Sequence, residues 1–287
     1  MTAHPVAEPA ARRLLECLRQ PLDPAIPVIL DVRDAHVFAA GHLPGSGHLP
    51  ASEWERRRSE LPAREARVIV VAETPARARA AALELQAMGY ARTEPLGAPL
   101  ATPGNATDTS PAWPLWRPTA TLVWALDRFA DAIPRRRAAD LASGSGRDAV
   151  FLALLGFDVE AWDRAPETLA RASELAQACG VRVTPVECDL EHGRPPLPTE
   201  RYALLTCFRF LDRRLHPRMI AALAPGGVLI HETYRAGQER FGKPKRAQYL
   251  LAPGELPALL PGLEILHYEE RAPEGGPITA RIVARKA

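Results

Sequence analysis

Short apolar runs alternate along this chain with longer stretches in which apolar and polar residues share a helical period. Val28-Ile29-Leu30-Asp31-Val32 and Val68-Ile69-Val70-Val71 are too short for helices and rich in β-branched residues, so each predicts a buried strand. Around them, residues 9–19, 53–61 and 76–88 predict helices, the last closed by Gly89. Further on, residues 119–132 predict a helix. Strands are then predicted at 138–141, 159–162, 181–186, 202–207 and 227–233, with helices at 147–155, 166–179 and 213–223 between them. Two more strands, 263–269 and 279–283, are close enough in sequence to pair antiparallel at one edge. The alternation predicts an α/β protein with parallel sheets, doubly wound in its second half.

Composition divides this pattern in two. Residues 101–118 are rich in Pro, Thr, Gly, Asn and Asp, which suit neither a helix nor a central strand. They are expected to link a domain at 1–100 to one at 119–287, with Trp113 and Trp116 docking the linker on a domain. The 287 residues are 47% hydrophobic, enough for two cores. A net charge of +2 argues against a nucleic-acid binder. Lysine occurs only at Lys243, Lys245 and Lys286; with so much Arg, Ala and Pro, this reads as GC-rich, bacterial coding. The runs Arg56-Arg57-Arg58 and Arg135-Arg136-Arg137 are therefore expected to be solvated surface. Cys17, Cys179, Cys188 and Cys207 show no metal-ligand spacing and are expected to be reduced thiols of a cytoplasmic protein, with no metal site. The first residues lack a signal-peptide pattern, and no apolar stretch is long enough to span a bilayer.

The candidate chemistry lies in the second half. Asp140-Leu141 leads into Ala142-Ser143-Gly144-Ser145-Gly146 and then a helix. Small residues there let a ligand approach main-chain N–H groups. Such a turn alone does not separate a methyl donor from a dinucleotide. Asp163 closes the next strand, where a carboxylate can accept from both ribose hydroxyls. Asp189 follows the third strand, where it can face an adenine amine, and Pro225-Gly226-Gly227 turns the chain into the fifth.

These four features in this order resemble the class I S-adenosylmethionine-dependent methyltransferases over about residues 118–287. Gly146-Arg147-Asp148-Ala149-Val150, Cys207-Phe208-Arg209-Phe210-Leu211 and Glu232-Thr233-Tyr234 resemble the small-molecule branch that includes tellurite-resistance methyltransferases. The resemblance implies a Rossmann-like doubly wound sheet and S-adenosyl-L-methionine as cofactor. It implies that Asp140, Gly144 and Gly146 shape the methionine pocket, that Asp163 holds the ribose beside Arg164, and that Asp189 and Leu190 flank the adenine, with Cys207 also at the cofactor. Ala142 stands where that family commonly has Gly. The partner expected is a small-molecule methyl acceptor, a thiol or a chalcogen oxyanion, reached from the ends of the fourth and fifth strands. Arg209 and Tyr234 are the catalytic candidates there, with Phe210, His231 and Glu232 nearby. The basic loop after the fifth strand, with Lys243, Lys245 and Arg246, is a candidate lid over an anionic substrate. A protein that binds the cofactor as a sensor, without turnover, is the alternative.

In the first half, Ile29-Leu30-Asp31-Val32-Arg33 and Phe38 through Pro50, with Gly41-His42-Leu43-Pro44-Gly45, resemble the rhodanese domain over about residues 10–100. A sulfurtransferase needs a thiolate directly after the second strand, at a helix N-terminus. Ala72 occupies that position, and Glu73-Thr74-Pro75-Ala76-Arg77 contains no thiol. The domain is expected to be catalytically inactive and to serve as a protein-binding, dimer-forming or shielding element.

Overall fold

The computed structural model describes residues 9–19, 26–97, 108–134, 137–193 and 195–287. The chain forms two compact units, Met1–Arg117 and Pro118–Ala287.

In the first unit, α1 (Pro9–Arg19) precedes β1 (Val28–Asp31), α2 (Ala35–Ala40), β2 (Gly47–His48), β3 (Val68–Val71), α3 (Pro75–Ala87) and β4 (Thr93–Pro95). The strands form a parallel sheet in the order β2-β1-β3-β4, with Leu30 beside Val70. Its core contains Leu30, Leu49, Trp54, Val68, Val70, Leu85 and Tyr90. The helix expected at 53–61 is instead two short 3₁₀ turns, Ala51–Glu53 and Arg58–Glu60. The cause is local. Trp54 is buried and its indole N–H donates to the Leu49 carbonyl at 3.1 Å, while Arg57 bridges Glu53 and Glu60. A single apolar anchor with charged neighbours cannot supply the stripe a full helix needs.

Residues 108–117 of the expected linker belong to this unit. His42 and Asp108 exchange both backbone hydrogen bonds, and Trp113 N–H donates to Ser46 O at 2.9 Å. Leu115 and Trp116 are buried. A Cβ on Gly47 would stand 2.3 Å from Leu115 Cδ2, so glycine there permits the close approach. Residues 101–107 of the linker, and Arg135 and Arg136 of the second arginine run, lie outside the described residues. Arg137, the third of that run, pairs with Asp158 at 2.9 Å.

The second unit runs α4 (Ala120–Arg128), β5 (Arg137–Leu141), α5 (Arg147–Leu154), β6 (Asp158–Asp163), α6 (Pro166–Ala178), β7 (Thr184–Glu187), β8 (Tyr202–Phe208), α7 (Leu215–Ala222), β9 (Leu223–Tyr234), α8 (Glu255–Ala258), β10 (Leu263–Arg271) and β11 (Thr279–Lys286). Its sheet order is β10-β11-β9-β8-β5-β6-β7. The last two strands pair antiparallel as expected, and β11 inserts between β9 and the edge strand β10. The chain reverses its direction of winding between β5 and β8, which opens a crevice beyond the carboxyl ends of the strands. Every residue of β8 is buried, so this strand forms the centre of the core. Below it, Tyr202 and Arg201 both hydrogen-bond the Glu160 carboxylate on β6. Among the described residues, no helix is long and apolar enough to cross a membrane.

Candidate functional site

The turn after β5 is shaped by left-handed backbone at three positions: Ala142 (φ 55°), Gly144 (φ 52°) and Gly146 (φ 75°). Ser143 N–H donates to Trp162 O, and Gly146 N–H to Ser143 O, each at 3.0 Å. Asp163, at the end of β6, accepts from Gly144 N–H at 2.8 Å and from Ala165 N–H at 3.0 Å. The acid and the glycine turn are therefore one assembly. Ala142 adopts the strained conformation that glycine would take without cost. Left-handed backbone costs a non-glycine residue ~1–2 kcal/mol, against ~0.5–1 kcal/mol of extra entropy lost by glycine. Ala142→Gly is expected to raise stability by up to about 1 kcal/mol, read as a rise of a few degrees in thermal unfolding; a drop would show that Ala142 makes contacts the turn depends on.

A cavity of about 910 Å³ opens beyond the strand ends. Ala142, Asp163, Arg164, Cys188, Asp189 and Leu190 line one part. Arg209, Phe210, Leu211, Tyr234 and the loop residues Lys243, Lys245, Arg246 and Tyr249 line the rest, with Glu191. Asp140, Gly144, Gly146 and Cys207 are not among its lining residues. Asp140 and Cys207 lie buried in the strands beneath. Thr206 Oγ1 donates to Asp140 at 2.8 Å, while burial and the neighbouring Asp148 push the Asp140 carboxyl well above the usual range. Burial also pushes the Cys207 and Cys188 thiols up, so neither is an activated nucleophile.

Asp189 is held by Glu191 N–H at 3.0 Å and by His192 Nδ1 at 2.6 Å, and the His192 hydrogen bond holds its carboxyl below the usual range. Arg209 has φ 58°, a left-handed conformation that its N–H maintains by donating to Glu232 O at 2.8 Å. Strain of that kind costs ~1–3 kcal/mol and persists only where the surroundings over-determine it. His231 is buried behind the site. Its Nδ1 donates to Cys207 O at 2.6 Å, and burial pushes its pKa down to about 3, so it stays neutral. Glu232 accepts from Thr121 Oγ1, and Asp148 accepts from Thr119 N–H at 2.6 Å and Thr119 Oγ1 at 2.7 Å. These two acids fasten the start of α4.

Sequence reasoning did not single out Cys188, Glu191, Leu211 or Tyr249 as lining residues. Their only signal was position: three follow β7 or β8, and Tyr249 ends the basic loop. Among the described residues, no group of three or more His, Cys, Asp or Glu side chains is set to hold a metal ion.

Residues 138–227 match the family model described as a methyltransferase domain, which covers the turn, Asp163, Asp189 and β8. The second unit carries a methyltransferase domain. Residues 14–94 match the rhodanese-like domain model. Among curated proteins, none matches the chain. Among solved structures, geranyl diphosphate methyltransferase in complex with GPP and sinefungin is 14% identical over 58% of this chain and 77% of that one, with a TM-score of 0.50. TehB from Haemophilus influenzae is 22% identical over 59% of this chain, with a TM-score of 0.49; the match spans 62% of the TehB chain. At such identities the likeness concerns the fold alone.

The turn and the cavity leave room for a bound ligand. A Cβ on Gly144 would meet nothing within 4 Å, so the turn faces open space. Ser143 Oγ is buried there without a hydrogen-bond partner among the described residues. The cavity lies at the upper end of the ~300–1,000 Å³ typical of ligand pockets.

Proposed function

We propose that the methyltransferase unit methylates a small molecule at a soft nucleophile, a thiol or a chalcogen oxyanion. Support comes chiefly from one observation. The Gly144–Asp163 hydrogen bond ties the small-residue turn to a carboxylate that lines the cavity together with Ala142, Arg209, Phe210 and Tyr234. In this reading Asp163 receives the ribose hydroxyls with Arg164 alongside, and Asp189 and Leu190 border the adenine. Gly144, Gly146 and Ala142 shape the methionine end, with Asp140 and Cys207 supporting it from beneath. Arg209 and Tyr234 contact the acceptor. S-adenosylmethionine supplies an electrophilic methyl on a sulfonium that is already a good leaving group. The protein's own work is alignment and exclusion of water, and a soft nucleophile needs no strong base. The cavity lining suits this, since no His is among its described lining residues and His231 Nδ1 donates to a backbone carbonyl. Calorimetry with S-adenosylmethionine, followed by a product screen with thiols, selenite and tellurite, tests the reading. Donor binding with no product from any of them would favour a sensor.

The rhodanese-like unit, in the same proposal, transfers no sulfur and acts as a binding or dimer-forming element. Ala72 is buried directly after β3, and Thr74 caps α3 by accepting from Arg77 N–H at 3.2 Å. Cys17 is buried in α1, where Arg117 Nη2 donates to its sulfur at 3.6 Å. The expected result is no thiocyanate from thiosulfate and cyanide above background. Activity that disappears with Cys17→Ser would overturn this part.

A further inference from the structure

The loop after β9 is a fixed wall. Its neck is closed by Ala236 N–H donating to Leu251 O at 2.8 Å and Leu251 N–H to Tyr234 O at 3.0 Å. Buried Gln238 braces its middle, accepting from Ile278 N–H at 2.8 Å and donating to Lys243 O at 3.4 Å. Arg213 braces its end through the carbonyls of Gln248 at 3.0 Å and Leu250 at 2.9 Å. A loop with paired ends and internal braces holds its shape. It presents Lys243, Lys245 and Arg246 to the cavity that Arg209 and Tyr234 also line.

Several basic residues elsewhere in the unit are paired. Arg201, Arg213, Arg214, Arg281 and Arg285 are each neutralised by an acid. No ion pair engages Lys243, Lys245 or Arg246 among the described residues. With Arg164 and Arg209 in the same lining they make five cations against Asp163, Asp189 and Glu191, a balance that favours an anion in the cavity.

That anion is poorly suited to be the reacting group. When an anionic nucleophile takes a methyl from a sulfonium, one S–C bond breaks as one bond to the nucleophile forms. The sulfur keeps the electron pair, and both charges vanish. Cations gripping the nucleophile would stabilise the ground state more than the transition state and slow the transfer. Cations gripping a spectator acid carry no such cost and raise affinity uniformly.

We propose that the acceptor is an organic anion whose carboxylate or phosphate is held by Lys243, Lys245 and Arg246 while a separate thiol sulfur gives its proton to water and receives the methyl as the S–C bond of the sulfonium breaks. This rests on the methyltransferase reading and favours the thiol over the oxyanion.

The test uses the full chain saturated with S-adenosylmethionine and three probes at constant ionic strength: benzoate, phenyl phosphate and uncharged benzyl alcohol. Calorimetry is expected to show at least one anion binding tenfold or more tighter than the alcohol. The stronger of the two identifies carboxylate or phosphate. The triple variant Lys243→Ala/Lys245→Ala/Arg246→Ala is expected to lose that preference while its affinity for the donor stays within twofold. Equal binding of charged and neutral probes, or a preference retained in the triple variant, overturns the proposal. So does selenite that displaces the anion and is methylated more slowly by the variant, because the wall would then serve the reacting group. Absence of donor binding in the wild-type protein is a separate result and refutes the methyltransferase reading itself.

Discussion

Gly146→Ala is expected to destabilise the methyltransferase unit by about 2–5 kcal/mol, the sum of ~1–2 kcal/mol for left-handed backbone and ~1–3 kcal/mol for overpacking. Gly146 has φ 75°, and its N–H and C=O join the turn to α5 through Ser143 O at 3.0 Å and Val150 N at 2.8 Å. An added Cβ would lie 2.4 Å from Ala172 Cβ and 3.0 Å from Ala172 Cα on α6. Neither atom can swing away, because one is a methyl fixed to the helix and the other is backbone. Relief therefore requires α5 and α6 to part, and both cover the parallel sheet. At ~2–4 °C per kcal/mol, thermal unfolding should fall by roughly 5–15 °C. Gly144→Ala is the control. Its φ is 52° but its Cβ would meet nothing within 4 Å, so only the backbone cost of ~1–2 kcal/mol applies. Equal losses in the two variants would show that the close approach to α6 does not matter to stability.

The contrast between these glycines bears on what a sequence reveals. Spacing placed both in a turn between a strand and a helix, because the apolar run before them and the helical period after them are strong signals. It did not show that Gly146 is required by packing as well as by its backbone angle and Gly144 by its backbone angle alone, since the deciding neighbour, Ala172, is distant in sequence. The long strands and helices of the second unit were legible for the same reason, each carrying its own periodicity. Residues 53–61 misled because their turn is set by one hydrogen bond from Trp54 to Leu49, which no helical pattern encodes. Residues 108–117 carry the composition of a linker, yet they pack on the rhodanese-like unit because Gly47 leaves room for Leu115. In the site, residues next to strand ends such as Asp163, Asp189, Arg209 and Tyr234 were readable from position. Cys207 lies one residue before the end of β8, a strand buried along its whole length, so it stays in the core beneath the cavity.

Asp163→Ala is expected to weaken S-adenosylmethionine binding by about 100- to 1,000-fold, or ~3–4 kcal/mol. A hydrogen bond to a charged group is worth ~1.5–3 kcal/mol, and a carboxylate at this strand end can accept from two ribose hydroxyls. The structure adds a second route to the same loss. Asp163 also accepts from Gly144 N–H at 2.8 Å and Ala165 N–H at 3.0 Å, so its removal frees the turn as well as the ribose. The two routes separate by measurement. Turn loosening lowers stability without donor, by ~1–3 kcal/mol for an amide left without its acceptor, and weakens every adenosyl ligand alike. Ribose contact is specific: a donor lacking one ribose hydroxyl should bind the wild-type protein at least tenfold more weakly than S-adenosylmethionine, and Asp163→Ala should no longer distinguish the two. Asp163→Asn, which keeps an oxygen acceptor but loses the charge, should fall between wild type and Asp163→Ala. If Asp163→Ala kept the discrimination between the two donors, the carboxylate would be a brace for the Gly144 turn alone, and the ribose would have to be held elsewhere along the cavity wall.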